Sequence, residues 1–408
     1  MSKAATYDVL IVGAGHAGAN LASNLRQKGF TGSILLVSDE AHLPYERPPL
    51  SKACLLQSIS DEKLLLRKSD YWAEARIDLA LGVTTRALDP AQKTAQLSDG
   101  RKITYHWCVL ATGGRARMLQ CAGADLDGIY MLRNMADMLR IRTALATAKR
   151  LVVIGGGYIG LEVAASARMM GVAVDIVETQ GRVLSRVTSQ PVSEYFQALH
   201  GRHGVEFHLN RHVVAIEGAG RAEGVRLDDG TLLPADLVLV GIGIEAETAL
   251  AEAAGIACHG GVLVDSTFQS TAPYVLAIGD CARHPNDFAG GLWRLESVQH
   301  AQDSAAIAAD RIMGQSTSYQ DVPAFWSEQY DVRLQSAGIA RDADDLVVRG
   351  DLENGPFSII YLREGRIIAI DALNSAREFM RARQLIAARA LLDNTHLADS
   401  AQPLQAVA

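Results

Sequence analysis

Two short apolar runs, YDVLIV at residues 7–12 and LVVI at residues 151–154, each stop at a glycine and give way to an alanine-rich stretch with helical spacing. Neither shows strong period-two alternation, so each predicts a strand buried on both faces, as in a parallel sheet, followed by a turn and a helix. The same unit is therefore written twice. Around residue 204 the spacing predicts a helix ending at Gly204 and a strand over Val205–Leu209. From about residue 322 the pattern changes to VRLQSAGIA, DLVVRG and PFSIIYLREGRIIAIDALN, then SAREFMRARQLIAARALL. That pattern predicts short strands, a hairpin turn near Glu364-Gly365 and one amphipathic helix, an α+β domain without a nucleotide motif.

Both turns read G-x-G-x-x-G. Gly13 and Gly155 make the tight turn, Gly15 and Gly157 let a pyrophosphate approach the backbone, and Gly18 and Gly160 let the helix lie close to its strand. A phosphate so held faces a helix N-terminus. The fingerprint also requires an acid at the end of the next strand, about 20 residues on, to bind a ribose hydroxyl. ILLVSDE supplies Asp39, with Glu40 beside it, and VDIVET supplies Glu178. Two dinucleotide sites in one chain imply two dinucleotides held side by side, and flavin with nicotinamide is the natural pair. Glu178 favours NADH over NADPH by like-charge repulsion of a 2'-phosphate, while Arg182 and Arg186 oppose that preference.

Composition narrows the setting. The 408 residues suggest two or three domains. A net charge of −7 argues against nucleic acid and anionic membrane as partners. Five cysteines without a C-x-x-C pair indicate neither a disulfide framework nor a zinc ribbon, and point to a reducing compartment. The N-terminus carries no evident secretory signal, and no apolar run reaches the 18 residues of a membrane span, so a cytoplasmic location is expected.

Further segments extend the reading: RPPLSK at 47–52, ATGG at 111–114, GIG at 241–243, AIGDCA at 277–282, LESV at 295–298 and FWS at 325–327. Together with the two glycine motifs, these resemble the flavin-dependent ferredoxin reductases of bacterial oxygenase systems, including those of aromatic hydrocarbon catabolism, over nearly the whole chain. The resemblance implies an α/β fold of two Rossmann-like domains in the glutathione-reductase-like arrangement, plus the C-terminal α+β domain. Its boundaries would be 1–112 and 245–321 for FAD, 113–244 for NAD and 322–408 for the C-terminal domain. FAD would be the cofactor and NADH the co-substrate. The sequence departs from the family at Ala116, where a proline is usual, at a cost in loop rigidity but not in ligands.

Residue by residue, the resemblance assigns FAD to Gly13, Gly15, Ala17, Gly18, Asp39, Pro49, Lys52, Thr112, Gly113, Gly279 and Asp280. Arg133 is added as a cofactor contact. Glu296, Ser297 and Val298 line the flavin pyrimidine and nicotinamide side. NADH falls to Gly155, Gly157, Ile159, Gly160, Glu162, Glu178, Gly241, Ile242 and Gly243. Hydride passes from nicotinamide C4 to flavin N5, with Lys52 near N5 and paired to Glu162; Trp326 either covers the flavin near the electron exit or simply packs at a domain seam. The implied partner is a [2Fe-2S] ferredoxin, bound transiently, with Arg294, Arg311 or the helix arginines Arg377, Arg381, Arg383 and Arg389 as docking candidates. Either a monomer or a homodimer is compatible.

Two rival functions stay open at this point: an NADH oxidase or peroxidase using Cys54, and a flavoprotein whose reduction changes its binding partners. The histidines His200, His203, His208 and His212 span a helix-to-strand boundary and are not expected to converge on a metal.

Overall fold

A computed structural model of the chain describes residues 5–353, 355–393 and 397–407. Its contacts divide into two units, each assembled from three pieces of chain. The first comprises Met1–Arg47, Ser60–Arg115 and Glu245–Pro323, and the second Pro48–Ile59, Ala116–Ile244 and Ala324–Ala408.

The first unit is built on a parallel sheet in the order Ile77–Ala80, Ile34–Val37, Ala5–Val12, Lys102–Leu110, Val275–Ala277. Val9, Leu10 and Ile11 are fully buried, as an unalternating run requires. Antiparallel strands Thr85–Asp89 and Thr94–Leu97 extend the sheet from the start of Lys102–Leu110. Helices His16–Gln27 and Val298–Ile312 bring alanines and leucines to this core. Phe268, His284, His300 and Tyr319 form a buried ring cluster, the two imidazoles stacked with centroids 4.9 Å apart and planes at 10°.

The second unit repeats the theme. Its parallel sheet runs Val205–Leu209, Ala173–Glu178, Arg150–Ile154, Leu237–Val240, Ile129–Tyr130. Helix Tyr158–Met169 follows the second glycine turn. A small antiparallel sheet, Val213–Glu217, Gly224–Leu227 and Leu232–Pro234, accompanies it. The C-terminal part is a five-stranded antiparallel sheet in the order Ala324–Gln329, Val332–Gly338, Arg366–Leu373, Phe357–Arg363, Asp345–Gly350, with helix Ala376–Ala387.

The strand Val205–Leu209 has the predicted bounds, and Gly204, at φ +79°, follows the helix. The hairpin turn has Arg363 opposite Arg366, with Glu364 and Gly365 both at positive φ, 50° and 72°, the twist a two-residue hairpin favours. The strand Ala324–Gln329, which contains FWS, is one that the sequence pattern does not announce.

Candidate functional site

The first crevice opens where Ala5–Val12, Lys102–Leu110 and Val275–Ala277 end side by side, the place where open parallel sheets bind ligands. A β-carbon on Gly13, whose φ is +108°, would lie 2.2 Å from the Ala111 carbonyl oxygen, and one on Gly18 would lie 1.9 Å from that of Gly13. Strand, turn and helix are thus too close for any side chain at either position. Gly15 is different, because a β-carbon there would meet only the Arg47 guanidinium, 3.7 Å from Nε. The helix that Gly15 caps has, among the described residues, no side-chain cap and no acid in its first turn. Its first N–H groups are therefore left for an anion, which is what a pyrophosphate needs.

The other loops of this crevice close around the turn. Ala17 is buried against Gly279, whose φ is +69° and whose own β-carbon would sit 2.9 Å from Ala17 Cβ. Gly279 N donates to Ser304 Oγ at 3.1 Å, and Thr112 Oγ1 to the Glu247 carbonyl at 2.6 Å, beside Gly113 at φ +66°. Asp280 is half-buried, and its carbonyl accepts from Arg294 Nη1 at 3.1 Å. Arg294 also pairs with Glu296 Oε1 at 2.6 Å. Ser297 caps helix Val298–Ile312, its Oγ accepting from His300 N at 3.1 Å. Arg294 is thus engaged within the unit, and Arg311 is half-buried, with its Nε buried.

The two copies of the fingerprint differ by one residue in register. Val12 pairs with Val37 and Ile154 with Val177, so Ser38 stands where Glu178 stands, and Asp39 lies one position beyond, exposed. Glu40 turns to Tyr45 and Arg47, accepting from the phenol at 2.5 Å and from Nη2 at 2.6 Å. The sequence shows Arg47 within a motif but gives it no place at the turn. Nor does it single out His16, whose Nε2 is 2.8 Å from Glu46 Oε2.

The second crevice lies at the ends of Arg150–Ile154, Ala173–Glu178 and Leu237–Val240. Gly155, at φ +107°, would place a β-carbon 2.5 Å from the Gly241 carbonyl oxygen, whereas one on Gly157 would meet only that oxygen, at 3.9 Å. Gly160 packs on Gly155, and Ile159 is exposed. Glu178 Oε2 accepts from Gly156 N at 2.7 Å and its Oε1 from Gln180 N at 2.9 Å, which fixes the carboxylate at the turn. Arg182 is spent on Thr188 O, Ser185 O and Ser193 Oγ. Arg186 is exposed, 3.6 Å from where a β-carbon on Gly243 would lie, with Ile242 half-buried between Gly241 and Gly243. Arg133 precedes the capping box of helix Met135–Leu145, where its backbone N donates to Asp137 Oδ2 at 3.0 Å.

Also in the second unit, Pro49 is the second residue of the short turn Pro48–Ser51, which Lys52 directly follows. Lys52 Nζ lies 2.8 Å from Glu162 Oε2, and Glu162 is nearly fully buried. Ser51 Oγ donates to the same oxygen at 2.5 Å, and Ser327 Oγ donates to Oε1 at 2.7 Å. Ser166 Oγ, one turn further along the helix, donates to the Ser51 carbonyl at 2.8 Å and so ties the Pro48–Ile59 segment to that helix. The Tyr158 ring lies against that of Phe325, centroids 4.4 Å apart and planes tilted by 32°, and burial pushes its phenol pKa well up. Trp326 is half-buried on the strand whose alternate residues Ser327 and Gln329 point into the buried side.

None of the five cysteines is in a disulfide, and Cys54 is buried at 2% exposure with its carbonyl accepting from Arg142. The histidine group is dispersed: His200 bonds Gln329, His203 stacks on Tyr330, and His208 faces Asp175 at 2.8 Å. Asp175, Glu206 and His208 bring donor atoms within 4.8 Å of one another at the strand edge. Among the described residues no helix is long and apolar enough to cross a membrane.

Two glycine-turn crevices at the ends of two parallel sheets, one chain serving both, define an oxidoreductase that works with two dinucleotides. Residues 7–305 match the pyridine nucleotide-disulphide oxidoreductase family and residues 324–408 the reductase C-terminal family, and the chain belongs to the ferredoxin reductases that combine them. It is 43% identical over 390 residues to a ferredoxin–NAD(P)+ reductase of Sphingomonas, covering 95% of this chain and 94% of that one. It is 38% identical to putidaredoxin reductase of Pseudomonas putida, covering 99% and 97%. The crystal structure of a covalent putidaredoxin reductase–putidaredoxin complex aligns with a TM-score of 0.94 at 38% identity, over 98% of this chain and 97% of that one. Relatives of this kind bind FAD and use NADH, and the open, uncapped first turn fits the flavin dinucleotide.

Proposed function

We propose that the chain carries electrons from NADH through FAD to a [2Fe-2S] ferredoxin serving an oxygenase or a cytochrome P450, in the cytoplasm. The doubled crevice is the observation that carries this reading, taken in a chain with full-length ferredoxin-reductase relatives. FAD held in the first crevice supplies the conversion between a two-electron donor and a one-electron acceptor. Residues 1–112 and 245–321 form its domain, 113–244 that of NADH, and 322–408 the C-terminal domain.

The chain's own residues divide the work. Gly15 and the uncapped helix start admit the pyrophosphate, with Arg47 beside them as counter-charge. Asp39 and Asp280 accept from ribose and ribityl hydroxyls, while Thr112, Gly113, Gly279 and the Glu296–Val298 segment shape the crevice. Glu178 holds the second turn and accepts from the adenosine ribose of NADH, and with Arg182 spent on backbone carbonyls a 2'-phosphate meets a carboxylate instead. Lys52 places a cation at the reacting end of the flavin, and Glu162 restrains it until nicotinamide is seated. Trp326 covers the exit side. Cys54, buried and in no disulfide, gives no support to thiol chemistry.

Anaerobic stopped-flow mixing with NADH, followed by mixing with oxidised [2Fe-2S] ferredoxin, tests the reading. Rapid flavin bleaching and then cluster reduction are expected. Flavin that is reduced yet passes electrons only to oxygen or peroxide would overturn it.

A further inference from the structure

Behind Glu162 the second unit holds a line of buried polar side chains for which the electron path has no use. Ser327, Gln329 and His200 are each at most 1% exposed. Ser327 Oγ lies 2.7 Å from Glu162 Oε1, Gln329 Nε2 3.2 Å from Ser327 Oγ, and His200 Nε2 2.8 Å from Gln329 Oε1. The Tyr330 hydroxyl is 3.5 Å from His200 Nδ1.

One end of this line fixes the proton positions of the rest. A carboxylate paired with lysine only accepts, so Ser327 gives its single proton to Glu162 and must accept on its other side. Gln329 therefore turns its amide N–H toward Ser327 and its oxygen toward His200, and His200 must carry its proton on Nε2. Burial pushes the His200 pKa down to about 4, so near neutral pH the ring holds one proton and Nδ1 is left as acceptor for Tyr330. Every donor in the line points at Glu162.

The two carboxylate oxygens are held by different means. Lys52 and Ser51 hold Oε2, whereas among the described residues Ser327 supplies the hydrogen bond to Oε1. We propose that Ser327, Gln329 and His200 are positioning residues, which fix the orientation of Glu162 through Oε1 and thereby the direction in which Lys52 is held for hydride transfer. This rests on reading Lys52–Glu162 as the pair beside the flavin.

Gln329→Glu keeps the shape and reverses the polarity. When ionised, the introduced carboxylate has no proton to donate and competes for that of Ser327; when protonated, it can donate again. In stopped-flow reduction of the FAD-loaded protein by saturating NADH, the variant is expected to be roughly tenfold slower at pH 8, with the NADH concentration for half-maximal rate unchanged. The deficit should close as pH falls toward 6. His203, Tyr330 and Arg168 face the line from the His200 side, and Lys52 and Tyr158 from the Glu162 side; all of them are the same in wild type and variant, so the ratio of the two isolates position 329. Without NADH, the visible spectrum and midpoint potential of the bound flavin should depart from wild type at pH 8 and converge with the same pH dependence.

Should Gln329→Glu not fold, Ser327→Ala and Ser327→Thr take its place: alanine slow at every pH, threonine restoring the rate. Variants at both positions that match wild type in rate, spectrum and potential would overturn the positioning role. Failure of the underlying reading looks different, since Glu162→Gln would then also leave all three unchanged.

Discussion

Arg47 Nη2 lies 2.6 Å from Glu40 Oε1, and this pair carries the guanidinium to within 3.7 Å of where a side chain on Gly15 would begin. The acid beside Asp39, the residue that the sequence pattern offers as a ribose ligand, thus holds the cation that faces the first glycine turn. Tyr45 adds its ring, 5.6 Å from the guanidinium carbon. Arg47→Gln should raise the dissociation constant for FAD by roughly tenfold, the worth of one charge-assisted contact, measured by flavin fluorescence on dilution. Glu40→Gln should do part of the same, because the guanidinium loses its anchor.

The glycines of the first turn separate folding from binding. Gly13→Ala places a β-carbon against the Ala111 carbonyl and strains a φ of +108°, so the protein should fail to accumulate in folded form. Gly15→Ala meets only a movable guanidinium; it should fold, melt within a few degrees of wild type as apoprotein, and purify with little flavin. Thermal melts and the flavin-to-protein absorbance ratio check both.

Lys52→Met leaves a buried carboxylate facing only hydroxyl donors. It should cost about 2 kcal/mol of stability, below the full figure for a buried pair because Lys52 retains partial exposure, and should slow flavin reduction. Adding Glu162→Leu should restore the stability and not the rate, which denaturant titration and stopped-flow reduction would show independently.

Coenzyme preference provides another check. With Glu178 fixed at the turn and Arg182 occupied, NADH should be preferred to NADPH by at least about tenfold in kcat/KM. Glu178→Gln should narrow that ratio, whereas Arg182→Ala should destabilise the fold without widening it.

Acid stability tests the buried imidazoles. Burial depresses His200 to about 4 and His300 to about 3, below the usual value near 6.5, so each is neutral when folded and takes up a proton on unfolding. Their contribution is complete above about pH 6.5 and is lost as pH falls toward those values, up to about 3 kcal/mol for His200 by pH 4. Denaturant midpoints at pH 7.5 and 5 should show His200→Asn less stable than wild type at the higher pH, with the gap narrowing at the lower.

Much of this is legible in the chain because it is local. A glycine turn, the strand before it and the acid after the next strand lie within a few dozen residues, and Glu364-Gly365 carries its hairpin geometry alone. The small offset of Asp39 is not legible, since register is set by Val12 meeting Val37 across the sheet. Nor is the support of Glu162, because Ser51, Ser327 and His200 come from distant segments and each is an ordinary residue where it stands. Arg47 stands within a recognisable motif, and only the structure brings it to Gly15.

The interleaving of the two units has a consequence for synthesis. The Lys102–Leu110 strand lacks its neighbour Val275–Ala277 until roughly 165 further residues have been made, and at about 5–20 residues per second that is a delay on the order of 10–30 s. During that interval the nascent first unit exposes a β-edge and part of its core. Neither unit can be obtained by cutting the chain once, and a ribosome that stalls between the two strands should yield a polypeptide that binds chaperones rather than flavin.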